Sequence, residues 1–225
     1  MEKVRKSSDG QVGVTFQTPK GKQEWTGSHL LVALGRAPIT KDLDLAAAGV
    51  ETNPKGFIKV NDRLETNVSG IWAIGDVSGG PQFTHASLDD FRILRDNVFG
   101  NGSRSRSDRY VPSTPFTDAE LAHVGLTEKE AVSQGLEIRV LQVPITPLTV
   151  PRARTTGQMD GLLKAIIEKS TQRILGCTIL AAEAGEMIGT VQAFMIAGMP
   201  ATKLRDAILS HPTMVEGFNA PFAAL

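Results

Sequence analysis

Gly70-Ile71-Trp72-Ala73-Ile74-Gly75-Asp76-Val77 is an apolar run that stops at a glycine and meets a carboxylate at once. It reads as a buried strand with an exposed acid at its carboxyl end. Ser78-Gly79-Gly80-Pro81 then breaks the chain, and Thr84 opens a helical pattern marked by Leu88, Phe91, Leu94 and Val98. Gly100 fits a cap at the end of that helix. Ligands of open α/β folds sit beyond the carboxyl ends of strands. A carboxylate there, beside a glycine that permits close approach, suits a polyol whose hydroxyls need an acceptor. The plainer reading is that Gly-Asp after a strand makes an ordinary turn.

Upstream, the opening reads as a small β-meander. Gln11 to Gln17 alternates, with Val12, Val14 and Phe16 on one face; Pro19-Lys20-Gly21-Lys22 turns, and Gln23 to Thr26 returns. Leu30-Leu31-Val32-Ala33-Leu34 is apolar throughout, as a strand covered on both faces would be, and stops at Gly35-Arg36-Ala37-Pro38. Phe57 to Val60 is a further short strand candidate.

Downstream, Asn101 to Asp108 is polar and Ser- and Gly-rich, the composition of a linker. A separate unit starts near Tyr110. Thr127-Glu128-Lys129-Glu130 has the pattern of a capping box, and Gly135 can end that helix. Glu137 to Val143, Gly161 to Glu168 and Ile174 to Leu180 are strand candidates, with Lys169 to Arg173 joining the last two as a hairpin. Ala184, Met187, Ile188, Val191, Met195 and Gly198 mark one face of a longer helix, in which Gly185 and Gly189 ease packing. Thr202 to Leu209 reads as a shorter one.

With 225 residues, 41% of them hydrophobic and 21% charged, the chain has the composition of a globular protein of one or two domains. Its formal net charge of zero carries no signature of a nucleic-acid or membrane partner. Arg104, Arg106 and Arg109, interrupted by serines and Asp108, read as a solvated loop or, less simply, a phosphate contact. No signal-peptide core follows Met1, so a cytoplasmic protein is expected. The single cysteine, Cys177, stands among strand residues and reads as an inert core thiol.

His211-Pro212-Thr213-Met214-Val215-Glu216 is the second informative segment. Glu216 can hydrogen-bond the imidazole, fixing its tautomer and raising its basicity as an acid/base pair requires. Thr213 and Glu216 also form a Thr-x-x-Glu box, the signature of a plain helix start. His29 and His123 read as structural, and His85 begins the helix beside the Asp76 loop. No metal-ligand spacing, Gly-x-Ser-x-Gly elbow, Gly-x-Gly-x-x-Gly loop or Walker A loop is present.

These segments resemble the C-terminal half of the class I flavin-dependent pyridine nucleotide-disulfide oxidoreductases, which include dihydrolipoamide dehydrogenase, glutathione reductase and mercuric reductase. Four blocks carry the match in family order. They are Leu31 to Pro38; Gly70 to Asp76; Val111-Pro112 through Phe116-Thr117-Asp118 to Val124-Gly125-Leu126-Thr127-Glu128; and His211 to Glu216. Gln82-Phe83-Thr84-His85, Asp89-Asp90-Phe91-Arg92 and His211-Pro212-Thr213-Met214 look closest to the mercuric-reductase-like subgroup, which includes reactive-chlorine-resistance flavoproteins.

The resemblance implies an α/β remnant of FAD- and NAD(P)-binding domains, followed by an α+β dimerisation domain with an antiparallel sheet. Residues 1–44 would close the NAD(P)-binding domain, with Gly35 near the nicotinamide. Residues 45–108 would close the FAD-binding domain, and residues 109–225 would form a homodimer. Gly75 would let the chain approach the flavin, and Asp76 would accept a hydrogen bond from its ribityl chain. Gln82, Phe83, Thr84 and His85 would set backbone groups by the isoalloxazine, with the helix pointing its positive end at the N1/O2 edge. His211, with Glu216, would be acid/base for a thiol at the partner subunit's active site.

The family's FAD-binding and NAD(P)-binding Gly-rich loops and its Cys-x4-Cys pair are absent from the sequence. FAD and NAD(P)H are therefore expected to bind only together with a separate N-terminal half. A truncated product and one piece of a split enzyme both fit, as does a non-catalytic dimerisation module left from such an enzyme. The ending Phe222-Ala223-Ala224-Leu225 lacks mercuric reductase's C-terminal cysteine pair, so mercury reduction is not implied.

Overall fold

Strands β1 (Lys3–Lys6), β2 (Val12–Thr18) and β3 (Gly21–Gly27) form the expected antiparallel meander in a computed structural model. The structure describes residues 2–7, 9–147 and 149–225, and Arg154 by its backbone alone. Val14 pairs with Trp25, and the Phe16 and Trp25 rings meet edge to face at 4.8 Å.

The next apolar run is not a strand. Residues 28–34 lie extended without ladder partners, and Leu31 and Leu34 are 88% and 78% exposed. A strand covered on both faces depends on flanking strands and on layers above and below it. The described residues supply neither.

Phe57 to Val60 and Gly70 to Val77 also depart from the strand reading. Each contributes one isolated bridge, Thr52 to Ile58 and Glu65 to Trp72. Their backbone groups bond within a knot of turns instead: Ile58 N–H to Val77 O at 2.9 Å, and Thr66 N–H to Ile71 O at 3.0 Å. Val50, Ile58 and Ala73 form a small core there, and Gly75–Ser78 closes it as one 3-10 turn.

Helix α1 (Thr84–Val98) forms as expected, on a different face. Ala86, Asp90 and Ile93 are buried, whereas Leu88, Phe91 and Val98 face outward. Gly100 follows the helix without the left-handed backbone of a glycine cap; a side chain there would press against the Asp96 carbonyl. The segment 101–108 is not a free linker. Asn97 bonds the backbone of Arg104 in both directions, at 2.8 and 2.9 Å.

The second unit holds β4 (Glu120–Gly125), β5 (Ile138–Pro144), β6 (Leu162–Glu168) and β7 (Ile174–Ala181) in one antiparallel sheet, ordered β4-β7-β6-β5. Helix α2 (Glu128–Ser133) begins with the full Thr127–Glu130 capping box, and Gly135 follows its end with φ 72°. Helix α3 (Pro151–Thr156) and strand β4 fall where the sequence suggested no element. Helix α4 (Ala184–Ile196) lies across β4 and β7, burying the predicted Ala184, Met187, Ile188, Val191 and Met195. Gly185 admits Thr114 and Glu120 closely, while the space beside Gly189 is open, so only the first serves packing.

Helix α5 (Ala201–Arg205) stops four residues before the expected Leu209. The Asn219 amide donates to Arg205 O at 2.8 Å and so takes up its final carbonyls. Asn219 also opens α6 (Asn219–Phe222), whose Phe222 is wholly buried with Phe218 against Leu163 and Ile167 in the main core.

Candidate functional site

The 3-10 turn at Gly75–Ser78 meets the start of α1, and the fit depends on a glycine. Gly75 has φ 74°, and a Cβ there would lie 2.7 Å from Ser87 Oγ. Its N–H donates to Asp90 Oδ2 at 2.8 Å, and its carbonyl accepts from Ser78 Oγ at 2.8 Å. Asp76 then emerges half-exposed. Its one ionic contact is a long one, 3.4 Å from Arg36 Nη1. Arg36 also donates to Gln82 O at 3.3 Å, so it ties the Asp76 turn to the chain entering α1.

Helix α1 opens with no side-chain cap and no acidic residue in its first turn. The amides of that turn have no intrahelical partners and carry the positive end of the helix dipole. Phe83 stacks on His85 at 5.1 Å, and His85 Nε2–H donates to Pro112 O at 2.8 Å, which fixes the ring's tautomer. A cleft of about 380 Å³ runs from Phe83, Thr84 and His85 to Pro112, Phe116 and Glu120 on the second unit. Asp76 lies outside its lining, on the Arg36 side of the helix start. The structure thus brings Gly75, Asp76, Gln82, Phe83, Thr84 and His85 to one helix end. Gly35, with φ 104° and open space around it, sits apart on the exposed 28–38 segment.

His211 and Glu216 meet as the spacing suggested. His211 Nδ1 lies 2.9 Å from Glu216 Oε2, and His211 is mostly exposed while Glu216 is mostly buried. The Thr213–Glu216 hydrogen bonds form as well, ahead of a 3-10 turn at Val215–Phe218. Glu216 Oε1 accepts from Thr213 N–H at 3.0 Å, and Thr213 Oγ1 accepts from Glu216 N–H at 3.3 Å. With Nδ1 turned to the carboxylate, Nε2 has no hydrogen-bond partner among the described residues. No described hydrogen bond joins this pair to the Asp76 turn.

Of the arginine cluster Arg104 stays exposed, while Arg106 and Arg109 are largely withdrawn from solvent. Arg109 pairs with Asp89 at 3.1 Å and stands 2.8 Å from Asp90 Oδ1, off the hydrogen-bond direction, so that contact is Coulombic. Arg104 pairs with Asp89 at 2.9 Å, and the tip of the Arg106 guanidinium reaches Gly80, where a Cβ would meet it at Nη2. The acidic partners lie on α1, which the apolar-stripe reading treated as background. Arg36, Asp90, Arg106 and Arg109 were therefore missed as site-building residues. The one available signal was that Ala86, Asp90 and Ile93 also share a helical face.

Cys177 is buried, and its thiol is pushed up from an ordinary 9.0 to about 12 by burial. It is no nucleophile. His123 bonds Thr178 Oγ1 at 2.8 Å and Gly125 O at 2.9 Å, a structural role; His29, expected at a strand border, is exposed and bonds Ser28. Among the described residues no group of His, Cys, Asp and Glu is placed to hold a metal, and no helix is long and apolar enough to cross a membrane.

Residues 1–90 match the family described as pyridine nucleotide-disulphide oxidoreductase, and residues 111–221 match that family's dimerisation domain. The probable pyridine nucleotide-disulfide oxidoreductase RclA of Escherichia coli K12 is 45% identical over 195 residues, covering 86% of this chain and 44% of the relative. Human mitochondrial dihydrolipoyl dehydrogenase is 35% identical over 216 residues, covering 95% of this chain and 42% of the enzyme. The solved Cu(II) complex of the HOCl-induced flavoprotein disulfide reductase RclA from Escherichia coli superimposes with TM-score 0.89 at 40% identity, over 100% of this chain and 49% of that one. The chain spans about half the length of the relatives it matches.

Proposed function

The chain belongs to the pyridine nucleotide-disulphide oxidoreductases, and from that premise we propose that it supplies the second half of an FAD-dependent, NAD(P)H-using disulfide-type reductase. One observation carries the reading. A half-exposed carboxylate and an uncapped helix start are tied together through Arg36, an acceptor and a set of donors arranged for a polar ligand. The donor set fits FAD: Asp76 for a ribityl hydroxyl, and the first-turn amides of α1 at Thr84 and His85 for an electron-rich ring edge. Bound FAD would supply the acceptor for hydride from the nicotinamide.

The chain's own residues do the rest. Gly75 lets the Asp76 turn approach closely, and Arg36 and Asp90 hold that turn against α1. Gly35, in a left-handed conformation without neighbours, leaves room by the nicotinamide. His211, oriented by Glu216, takes or gives a proton at Nε2 for a thiol of the partner subunit, in a homodimer made through residues 109–225. Within this reading residues 1–44 complete the NAD(P)-binding domain and residues 45–108 the FAD-binding domain. The Gln82–His85 and Asp89–Arg92 wording supports the mercuric-reductase-like subgroup, and a cytoplasmic setting accords with a thiol-based enzyme.

A second reading rests on Cys177. A lone thiol, buried and held near 12, provides no redox pair, which favours a dimerisation module if the chain acts by itself. FAD titration separates the two. A chain that turns yellow and oxidises NADH when mixed with a separately expressed N-terminal half supports the reductase. A chain that stays colourless and dimeric in that mixture supports the module.

A further inference from the structure

We infer that Asp90 is the positioning residue of the Asp76 turn, held in place by Arg109, and that flavin retention depends on this pair. The inference rests on the flavin reading above and names a residue that never touches the ligand. Asp90 is 2% exposed, a carboxylate sharing the buried face of α1 with Ala86 and Ile93 while Leu88, Phe91 and Val98 face outward. A buried charge persists only where its partners compensate the lost water. Here one oxygen accepts the Gly75 amide at 2.8 Å, and the other stands 2.8 Å from Arg109 Nη1 and 3.9 Å from Arg106 Nε.

Packing alone would be served as well by leucine. An acceptor is required because the Gly75 peptide adopts φ 74°, which turns its N–H inward against α1. Ser78 holds the carbonyl of the same residue, so both polar groups of Gly75 are fixed. The next residue is Asp76, whose carboxylate therefore leaves the turn in one direction. Arg109 lies at the entrance to the second unit, so the same pair joins the turn to that unit's first residues.

The test uses two substitutions and two readouts. Asp90→Asn keeps an oxygen for the Gly75 amide, and Asp90→Leu, branched at the same carbon but bulkier, removes it. Hydrogen exchange of the Gly75 amide is expected to accelerate by about tenfold or more in Asp90→Leu and to stay within about threefold of wild type in Asp90→Asn, with β6 and β7 amides unchanged in both. FAD affinity of the flavin-loaded protein should follow the same order, with a shifted flavin absorbance band in Asp90→Leu only. Slow Gly75 exchange in Asp90→Leu would overturn the positioning role. Fast exchange with unaltered FAD affinity would overturn its part in flavin retention. A wild-type chain that takes up no FAD even beside an N-terminal half removes the flavin reading, and the exchange measurement still decides whether Asp90 sets the turn.

Discussion

Glu216 holds a histidine with one oxygen and a backbone amide with the other, so a single carboxylate orients His211 and fastens the turn that carries it. Substituting each residue should separate those duties. His211→Ala in the flavin-loaded protein is expected to slow thiol-linked turnover by about 100-fold or more while flavin stays bound, the usual scale for a lost acid/base. Turnover at the wild-type rate would remove that role. Glu216→Ala should in addition lower stability by about 1 kcal/mol through the lost cap, read from the urea midpoint. At Gly75, alanine must adopt φ 74° and meet Ser87 at 2.7 Å. A loss of about 1–3 kcal/mol in chemical denaturation is expected. Cys177 supplies a pH signature. Its folded thiol holds its proton up to about 12, against 9.0 ordinarily, so the unfolded chain ionises first. Stability from this group is fully present below pH 9 and falls as pH rises toward 12. A denaturation midpoint flat across that range would contradict it.

At the scale of elements, the sequence was most legible where each segment finds its partners nearby. The meander, the β6–β7 hairpin, the α2 capping box and the buried stripe of α4 all follow from local pattern and a neighbour close in the chain. The strands expected at residues 28–34 and 70–77 did not form, because a fully apolar strand needs layers on both sides. Leu31 and Leu34 instead face outward. Helix α1 was located well and oriented wrongly. Leu88, Phe91, Leu94 and Val98 make the more apolar stripe, but Asp90 and its arginines hold the other face inward, and ion pairing leaves no periodic mark. The placement of Asp76 and His85 by one helix start and the contact of His211 with Glu216 were legible, whereas Asp90 and Arg109 were not, because their meaning lies in contacts across the fold. Close approach between strands was equally hidden. Gly125 and Gly176 are paired in register, and a Cβ on Gly176 would lie 2.0 Å from Leu126 O. Gly176→Ala is expected to cost about 3 kcal/mol, the upper end for overpacking, measured by thermal or urea unfolding.

For the molecule as a whole, the second unit holds most of the large buried side chains, while residues 28–79 bury Val50, Ile58, Leu64 and Ala73. The second unit should therefore unfold last, and its amides should exchange most slowly. If it pairs with a copy of itself, the chain will run as a dimer in sedimentation at micromolar concentration; a monomer there would count against the homodimer. The two units are joined by His85 on Pro112 and by the arginines of residues 104–109 on α1. Serine-rich stretches studded with arginine are ordinary targets for trypsin. Here Arg106 and Arg109 are 16% and 11% exposed, and a protease that must swallow a guanidinium finds these already engaged. Scission would wait on the strap lifting away, so nicking becomes a clock for how often the halves part, and added salt, by screening the carboxylates of α1, would make that clock run faster.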